Sequence, residues 1–273
     1  MTDFSKLSRR KFIYGATCTC GVSLLLPSCA DVALTDRKQI KIFGDEFLYS
    51  KTFPAYENFK SQNKLITNTA ESDKLEEIGF RIKDAINVYY ASREEKDPTH
   101  NFQWEFVLVD NDKVKNAWCM PGGKIAFYSG ILPIAKNDDG IASIMGHEIA
   151  HAVARHSAER MSRAMLIDTG KYALETFVLG QRLPSISGQL RTYGLDLPFN
   201  RNQESEADYL GIIFSNLGGY NIDESYKIWE RMQEAGGKGP AEFFSTHPSP
   251  KNRIIKLKEW IPQVRIDYPS IKA

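Results

Sequence analysis

The sequence contains few cysteines, and their positions exclude a disulfide scaffold. There are four cysteines in 273 residues, and Cys18, Cys20 and Cys29 all precede residue 30. Only Cys119 remains beyond that point, so no internal disulfide can form in the rest of the chain. Cys119 lies in an apolar segment, where a single cysteine is more often a small core residue than a nucleophile. We therefore expect neither a disulfide-rich protein nor a thiol enzyme.

Charge excess and long apolar runs are also lacking. The formal net charge is +1, which is too small to indicate a nucleic acid as partner. Beyond the N-terminus, no apolar run approaches the roughly 20 residues that span a bilayer. Hydrophobic residues make up 42% and charged residues 25% of the chain, as in ordinary globular proteins. The composition predicts a globular protein and does not indicate its oligomeric state.

The first 29 residues differ from the rest and predict an export signal. The basic residues Arg9, Arg10 and Lys11 precede a short apolar stretch that ends at Leu26, which is the pattern of a secretion signal. The paired arginines resemble a twin-arginine signal. A general secretory signal is the alternative, since basic residues occur there as well.

The end of this stretch resembles a bacterial lipobox. Leu26-Pro27-Ser28-Cys29 predicts cleavage before Cys29 and lipidation of that residue, and ordinary signal cleavage after Ala30 is the alternative. On this interpretation residues 1–29 are the signal and residues 30–273 form a single domain. The predicted location is the bacterial periplasm, where the lipid anchors the protein to a membrane, preferentially the outer one.

The remaining sequence predicts an α+β fold, mainly helical with a small β-sheet. Three short strand-like runs are expected, and a Pro-Gly-Gly turn joins the last two into a hairpin. A helix interrupted by Pro54 and a loop over residues 180–199 are also expected. The predicted strands cover residues 102–109, 116–120 and 124–128. Helical periodicity covers residues 47–59, 71–92, 139–164, 165–179, 203–217, 223–234 and 251–261.

The segment His147-Glu148-Ile149-Ala150-His151 predicts a metal site. Residues four apart on a helix lie on one side, so both imidazoles can bind one Zn²⁺. Glu148 lies beside the first ligand and can take a proton from a water molecule that the metal activates. A continuous helix would carry His156, nine residues after His147, to the opposite face. We therefore expect His156 to lie at the surface.

A catalytic zinc also needs a third protein ligand, and Glu204-Ser205-Glu206-Ala207-Asp208 offers one. Glu204 and Asp208 share a helix face. Glu204 is the predicted ligand, and Asp208 is expected to accept a hydrogen bond from a ligand histidine and so fix its tautomer. Glu206 lies on another face and is the alternative ligand. Without the upstream histidines, a solvated acidic face would be the simpler interpretation.

These motifs together resemble the zinc metallopeptidase family of the CAAX prenyl proteases and HtpX, in its soluble periplasmic branch of BepA and LoiP. The resemblance rests on the segment 116–123, on the two motifs above, and on Ser245-Thr246-His247-Pro248 followed by Arg253. It extends over roughly residues 35–262. It implies a gluzincin-type domain with one Zn²⁺ per chain.

The resemblance also implies roles for further residues. An extended peptide substrate is expected to pair with an edge strand formed by Asn116, Ala117, Trp118 and Cys119. His247 is expected to approach the metal, either as a fourth ligand that keeps the enzyme inactive or as a donor to the developing oxyanion. From the sequence alone, His247 is simply a histidine in a loop.

Two functions follow from these observations. The first is a metalloendopeptidase of the bacterial envelope that cleaves unfolded or misassembled proteins in protein quality control. The alternative is a zinc-stabilised chaperone or scaffold lipoprotein with little proteolytic turnover. Both need the metal ligands, but only the peptidase needs the carboxylate of Glu148, so its presence favours the enzyme.

Overall fold

The structure, a computed structural model, describes residues 28–35, 37–166, 199–234, 247 and 251–271. Within these ranges the fold is α+β and mainly helical, as the sequence predicts. The loop predicted over residues 180–199 lies outside the described residues except for Phe199. Nearly all of the helix predicted over 165–179 and residues 1–27 of the predicted signal also lie outside them. The α-helices within the described ranges are α1 (Asp45–Gln62), α2 (Ala70–Ser92), α3 (Leu132–Ala135), α4 (Asp138–Val153), α5 (156–166), α6 (Arg201–Leu217), α7 (Glu224–Glu234) and α8 (Lys251–Asp267).

The N-terminal part of the described chain forms a two-stranded antiparallel sheet. Strand β1 (Ser28–Asp31) pairs with β2 (Lys38–Lys41), and Cys29 lies opposite Ile40 in the register. The backbone of the predicted lipidation site therefore takes part in a strand of the fold.

A second sheet of four strands lies beside the helices. It contains β3 (Leu65–Ile66), β4 (Glu105–Val109), β5 (Ala117–Met120) and β6 (Lys124–Tyr128), in the order β3-β4-β6-β5. Strands β5 and β6 form the predicted hairpin. Its turn contains Gly122 and Gly123 at φ +90° and +81°, a region of backbone space that favours glycine. The order leaves β5 at one edge of this sheet.

Helices α1 and α2 both contact the four-stranded sheet. Helix α1 is continuous through Pro54, so the interruption predicted at this proline is wrong. Helix α2 begins at a capping box, in which the Thr69 side chain accepts from the backbone N–H of Ser72 and the Ser72 hydroxyl accepts from that of Thr69. Leu75, Ile78 and other apolar residues of α2 are buried in the main core.

Helices α4 and α6 pack closely against each other and carry the two sequence motifs. Both begin at an asparagine whose side chain caps backbone N–H groups: Asn137 for α4 and Asn200 for α6. Gly146 and Gly211 face each other at the crossing. A Cβ atom on Gly146 would lie 2.6 Å from the carbonyl oxygen of Gly211 and 2.4 Å from Ser215 Oγ. The two helices can approach this closely because both positions lack a side chain.

Gly146→Ala is expected to destabilise the protein by about 1–3 kcal/mol, because the added methyl group meets backbone atoms of α6 that cannot move aside. This overpacking exceeds the gain of up to about 1 kcal/mol that alanine has over glycine inside a helix. Chemical denaturation of the metal-free protein measures the effect. Gly44→Ala is the control, since a Cβ atom there meets nothing within 4 Å. Equal stability of the two variants would contradict the close contact.

The helix predicted over residues 139–164 is broken in two. Helix α4 ends at Val153, with Ala154 as its C-cap, and Arg155 has φ +58°. The chain becomes helical again at residue 156 as α5. The Arg155 guanidinium bonds the carbonyl oxygen of Ala152 and pairs with Asp45 at 2.9 Å. These contacts hold the turn in a conformation that periodicity alone does not predict.

Candidate metal centre

Four buried side chains converge beside the crossing of α4 and α6. His147 and His151 come from α4, Glu204 comes from the first turn of α6, and His247 comes from the segment before α8. Each offers one ligand atom, and the four atoms all lie within 4.8 Å of one another. The structure therefore brings together the three predicted metal ligands and the histidine that the family resemblance placed nearby.

Four of the six distances between these atoms agree with the edges expected for ligands of one tetrahedral metal ion. Nε2 of His151 lies 3.1 Å from Nε2 of His147, which lies 3.3 Å from Nδ1 of His247. Oε1 of Glu204 lies 3.0 Å from Nδ1 of His247 and 3.4 Å from Nε2 of His151. Ligand bonds of about 2.0–2.1 Å in a tetrahedron give edges of about 3.3 Å. Imidazole and carboxylate ligands in this geometry suit Zn²⁺.

Asp208 and Arg253 set the orientation of two of these ligands. Oδ1 of Asp208 lies 3.2 Å from Nδ1 of His147. A carboxylate can only accept, so Nδ1 donates its proton and Nε2 of His147 is left as the metal-binding atom. The guanidinium of Arg253 bonds both oxygens of Asp208 at 2.5 and 2.6 Å and pairs with Glu204 at 2.7 Å. It also lies 3.8 Å above the ring of Trp229.

Glu148 points toward the same space and is almost completely buried. Its Oε1 lies 3.5 Å from Nε2 of His247. Burial raises the pKa of this carboxyl group above its usual value, while the neighbouring imidazoles of His247 and His147 oppose the shift. A carboxylate with a raised pKa is suited to accept a proton from water and then to release it.

The charge states of His151 and Glu204 favour metal binding. At His147, burial is outweighed by hydrogen bonds to Asp208 and Glu204, which raise its pKa to about 9, so a metal ion has to displace a proton there. Burial lowers the pKa of His151 well below its usual value, so its imidazole is neutral near neutral pH. Burial alone would raise the pKa of Glu204, but His247 and Arg253 outweigh it and hold that pKa well below its usual value. A neutral imidazole and an ionised carboxylate are the forms in which these side chains bind metal ions.

His156 does not lie at the surface, and that prediction is wrong. It is completely buried, and its Nδ1 lies 2.8 Å from Nδ1 of His151. The prediction assumed one continuous helix, whereas the turn at Arg155 rotates His156 back toward the metal ligands. Glu206, the alternative ligand, does not belong to the four-residue group. Its carboxylate accepts from Nε2 of His156 at 2.9 Å instead.

Phe199 is a further site residue that the sequence does not indicate. Its ring stacks on the imidazole of His151, with centroids 3.8 Å apart and planes 25° apart. The guanidinium of Arg160 lies over the same Phe199 ring, 3.9 Å from its centroid. Phe199 precedes helix α6 and belongs to no periodic pattern of apolar residues, so no sequence signal marks this contact.

The predicted substrate-binding residues lie along the β5 edge of the four-stranded sheet, where Asn116, Ala117 and Cys119 are buried. Tyr128 N–H donates to the carbonyl oxygen of Asn116 at 3.1 Å. In an antiparallel ladder the bonded residues alternate, so the backbone groups of Ala117 and Cys119 point away from β6. Strand β5 also packs on α4. Burial raises the pKa of the Cys119 thiol well above its usual value, which agrees with an inert core cysteine.

Comparison with known proteins gives relatives with peptidase names. The chain is 40% identical over 170 residues to "Mitochondrial metalloendopeptidase OMA1" of Schizosaccharomyces pombe, covering 61% of this chain and 49% of the relative. The chain is 36% identical over 204 residues to the Saccharomyces cerevisiae protein of the same name, and the match covers 72% of this chain and 58% of the relative. "Beta-barrel assembly-enhancing protease" of Escherichia coli K12 is 27% identical over 213 residues, and the match covers 74% of this chain and 41% of the relative. The chain thus spans about half the length of these relatives.

The prediction of a lipid-anchored protein in the bacterial periplasm is wrong. The relatives at 36–40% identity in fungi and plants are named as mitochondrial proteins. An N-terminal pattern of basic and apolar residues does not by itself identify the compartment, and a lipobox is a short motif that occurs by chance. Among the described ranges, no helix combines the length and the apolar character that a membrane-spanning segment needs.

The family itself is established over most of the chain. The family model described as "Peptidase family M48" matches residues 81–261. These residues contain both sequence motifs, strand β5, His247 and Arg253. The match confirms the predicted kind of metallopeptidase, while the periplasmic branch within it is not confirmed. The M48 match and the buried site of three histidines and a glutamate together show that the chain belongs to the metal-dependent peptidase family M48.

Proposed function

We propose that this chain is a zinc-dependent endopeptidase that cleaves unfolded or misassembled proteins. The observation that carries the proposal is the position of Glu148, a buried carboxylate aimed at the space beside a group of four possible ligand atoms. A purely structural metal site has no use for such a carboxylate. The names of the fungal and bacterial relatives, a metalloendopeptidase and an assembly-enhancing protease, support the same function.

The proposed reaction assigns one task to each group. His147, His151 and Glu204 would hold the metal ion. A zinc ion bound there would supply Lewis acidity for the attack of water on a peptide carbonyl. Glu148 would accept the proton of the attacking water and deliver it to the departing amine. Asp208 and Arg253 keep His147 and Glu204 oriented throughout, because both are buried and paired with each other.

Strand β5 suggests how the substrate is held. The backbone of Ala117 and Cys119 is buried at this edge and would pair with an extended peptide once the edge is uncovered, which requires that the substrate segment be unfolded. Side-chain Oδ1 of Asn116 accepts from the backbone N–H of Ala117 at 3.0 Å. A bound peptide would therefore have to displace this contact or pair beyond it. Backbone pairing is independent of side-chain identity, so we propose selection by unfolded state more than by sequence.

Removal of the metal tests this function. Treatment with a chelator is expected to abolish cleavage, and added Zn²⁺ is expected to restore it. A disulfide-bonded protein, offered in its native form and after reduction and alkylation, is a suitable substrate pair. Cleavage should be confined to the unfolded form. Cleavage that persists without metal would contradict the proposal, and metal binding without cleavage would favour a scaffold or chaperone.

His247 occupies the position that a substrate would need. Its Nδ1 lies 3.3 Å from Nε2 of His147 and 3.0 Å from Oε1 of Glu204, where it can act as a fourth ligand, whereas a catalytic zinc keeps one position open. We propose that His247 caps the metal and must move away before cleavage. His247→Ala is then expected to raise basal cleavage several-fold and to speed extraction of the metal by a chelator. His100→Ala, at an exposed loop histidine, is the control. Lower activity with unchanged extraction would instead indicate an oxyanion role.

A further inference from the structure

Behind His151 lies a chain of buried polar groups that the proposed reaction does not use. His156 is in contact with two of them: its Nδ1 lies 2.8 Å from Nδ1 of His151, and its Nε2 lies 2.9 Å from Oε2 of Glu206. His156 is completely buried and Glu206 nearly so. Both contacts are within hydrogen-bonding distance, and neither His156 nor Glu206 contributes an atom to the four-residue metal group.

Glu206, the residue of this chain of polar groups farthest from the metal group, sets the donor and the acceptor in each of these hydrogen bonds. The Glu206 carboxylate can only accept, so Nε2 of His156 carries a proton and donates it. In a neutral imidazole the other nitrogen then accepts, so Nδ1 of His156 receives a hydrogen bond from Nδ1 of His151. The proton of His151 is thereby placed on its Nδ1. Its Nε2, which faces His147 and Glu204, is left free to bind the metal.

The Glu206 carboxylate is hydrogen-bonded by a segment that is distant in the sequence. Oε1 of Glu206 accepts from the Thr35 hydroxyl at 2.5 Å, and Oε2 accepts from Nε of Arg37 at 2.8 Å. Thr35 and Arg37 lie just before strand β2 and outside residues 81–261, the part that matches the family. Arg37 also pairs with Glu159 at 2.9 Å. The N-terminal segment is therefore connected to a metal ligand through two side chains.

We propose that His156 and Glu206 are positioning residues that fix the tautomer and ring orientation of His151, and that Thr35 and Arg37 anchor them. The inference rests on the proposed metal site and extends it from three ligands to the contacts behind them. Hydrogen-bond partners of ligand histidines commonly contribute 10- to 100-fold to metal affinity. The same range is expected here for loss of the contact to His151.

Glu159 provides a matched comparison. Like Glu206 it is a buried carboxylate that pairs with Arg37, but its other described partners are Gln203 and Arg163. Its charge acts on His156 through space, but no side-chain hydrogen bond joins the two among the described residues. Glu206→Leu and Glu159→Leu therefore remove similar ion pairs, and both are expected to lower the thermal midpoint of the metal-free protein. Only Glu206→Leu is expected to weaken metal binding, by about 10- to 100-fold.

Substitution of His156 itself gives an independent test. His156→Phe keeps the ring volume and removes both nitrogens, whereas His156→Gln keeps one acceptor and one donor. The phenylalanine variant should bind Zn²⁺ more weakly by about 10- to 100-fold, and the glutamine variant should recover most of that loss. The visible spectrum of bound Co²⁺, which reports ligand geometry, should change in the phenylalanine variant and return toward wild type in the glutamine variant.

The measurement is competition between the full chain and a chromophoric chelator, first for Zn²⁺ and then for Co²⁺. Weaker binding in Glu206→Leu but not in Glu159→Leu supports the proposal even if His156→Phe does not fold. Equal affinities in these two leucine variants, whether both are normal or both are weakened, would overturn it. A wild-type chain that binds neither ion would overturn the proposed function as well, so the two failures are distinguishable.

Discussion

Glu148→Gln is expected to lower the rate of peptide cleavage by roughly 100- to 10,000-fold, the usual contribution of a general base. The substitution keeps the size of the side chain and removes only its capacity to hold a proton. Because Glu148 is not one of the four ligand residues, zinc content should not change. Cleavage of an unfolded protein by metal-loaded wild type and variant gives the comparison.

The same substitution should not weaken the fold. Burial raises the pKa of Glu148 above its unfolded value, so the ionised form is disfavoured in the folded protein. This cost is present above the folded pKa and disappears as the pH falls below the unfolded value of about 4.3. Metal-free Glu148→Gln is thus expected to be as stable as wild type or more stable at pH 7, with the difference shrinking at pH 4.

Glu159→Gln provides the control for both measurements. Glu159 is equally buried on the neighbouring helix α5, but it pairs with Arg37 and lies outside the metal group. The control should retain most of the cleavage activity and should lose stability, because its ionised form is stabilised by Arg37 and Gln203. If Glu148→Gln cleaves as fast as this control, another group is the base and the proposed mechanism is wrong.

Arg253→Met is expected to destabilise the protein by about 3–5 kcal/mol, since it leaves buried carboxylates without their cation. Arg253 is 5% exposed, and both Asp208 and Glu204 depend on it for an ion pair. Methionine retains a similar apolar stem against Trp229, so the loss is mainly electrostatic. Denaturant unfolding of the metal-free protein measures the free energy.

Two comparisons separate this effect from a general loss of arginine. Arg265 is half-exposed and pairs with Asp223 at 3.0 Å, so Arg265→Met should change stability by no more than about 1 kcal/mol. The double variant Arg253→Met, Asp208→Asn should be more stable than Arg253→Met alone, because the uncompensated charge is removed. A single and a double variant of equal stability would show that Asp208 is not paired as described.

The parts of the site that lie within one helix could be predicted from the sequence. His147 and His151, and likewise Glu204 and Asp208, are four residues apart, and a regular helix puts such pairs on one face. The prediction needed only the helical period and the chemistry of the side chains. For the same reason helix α2 and the hairpin of β5 and β6 were predictable, since each is encoded by a local pattern.

What could not be predicted depends on contacts between distant segments. The turn at Arg155 is stabilised by an ion pair to Asp45, 110 residues earlier in the chain, and no local pattern marks it. The prediction for His156 was wrong because of this one turn. Arg253 entered only through a family resemblance, and its role as the cation of two buried carboxylates depends on how α8 packs against α6.

The turn between α4 and α5 also has a fixed length. One residue more or less in it would rotate α5 by about 100° and carry the His156 ring away from His151, while both helices remained intact. The five-residue separation of these histidines is therefore a sequence signature that a search for chains with the same buried arrangement can use. A chain with the zinc motif but a different separation is expected to orient its second ligand by other means.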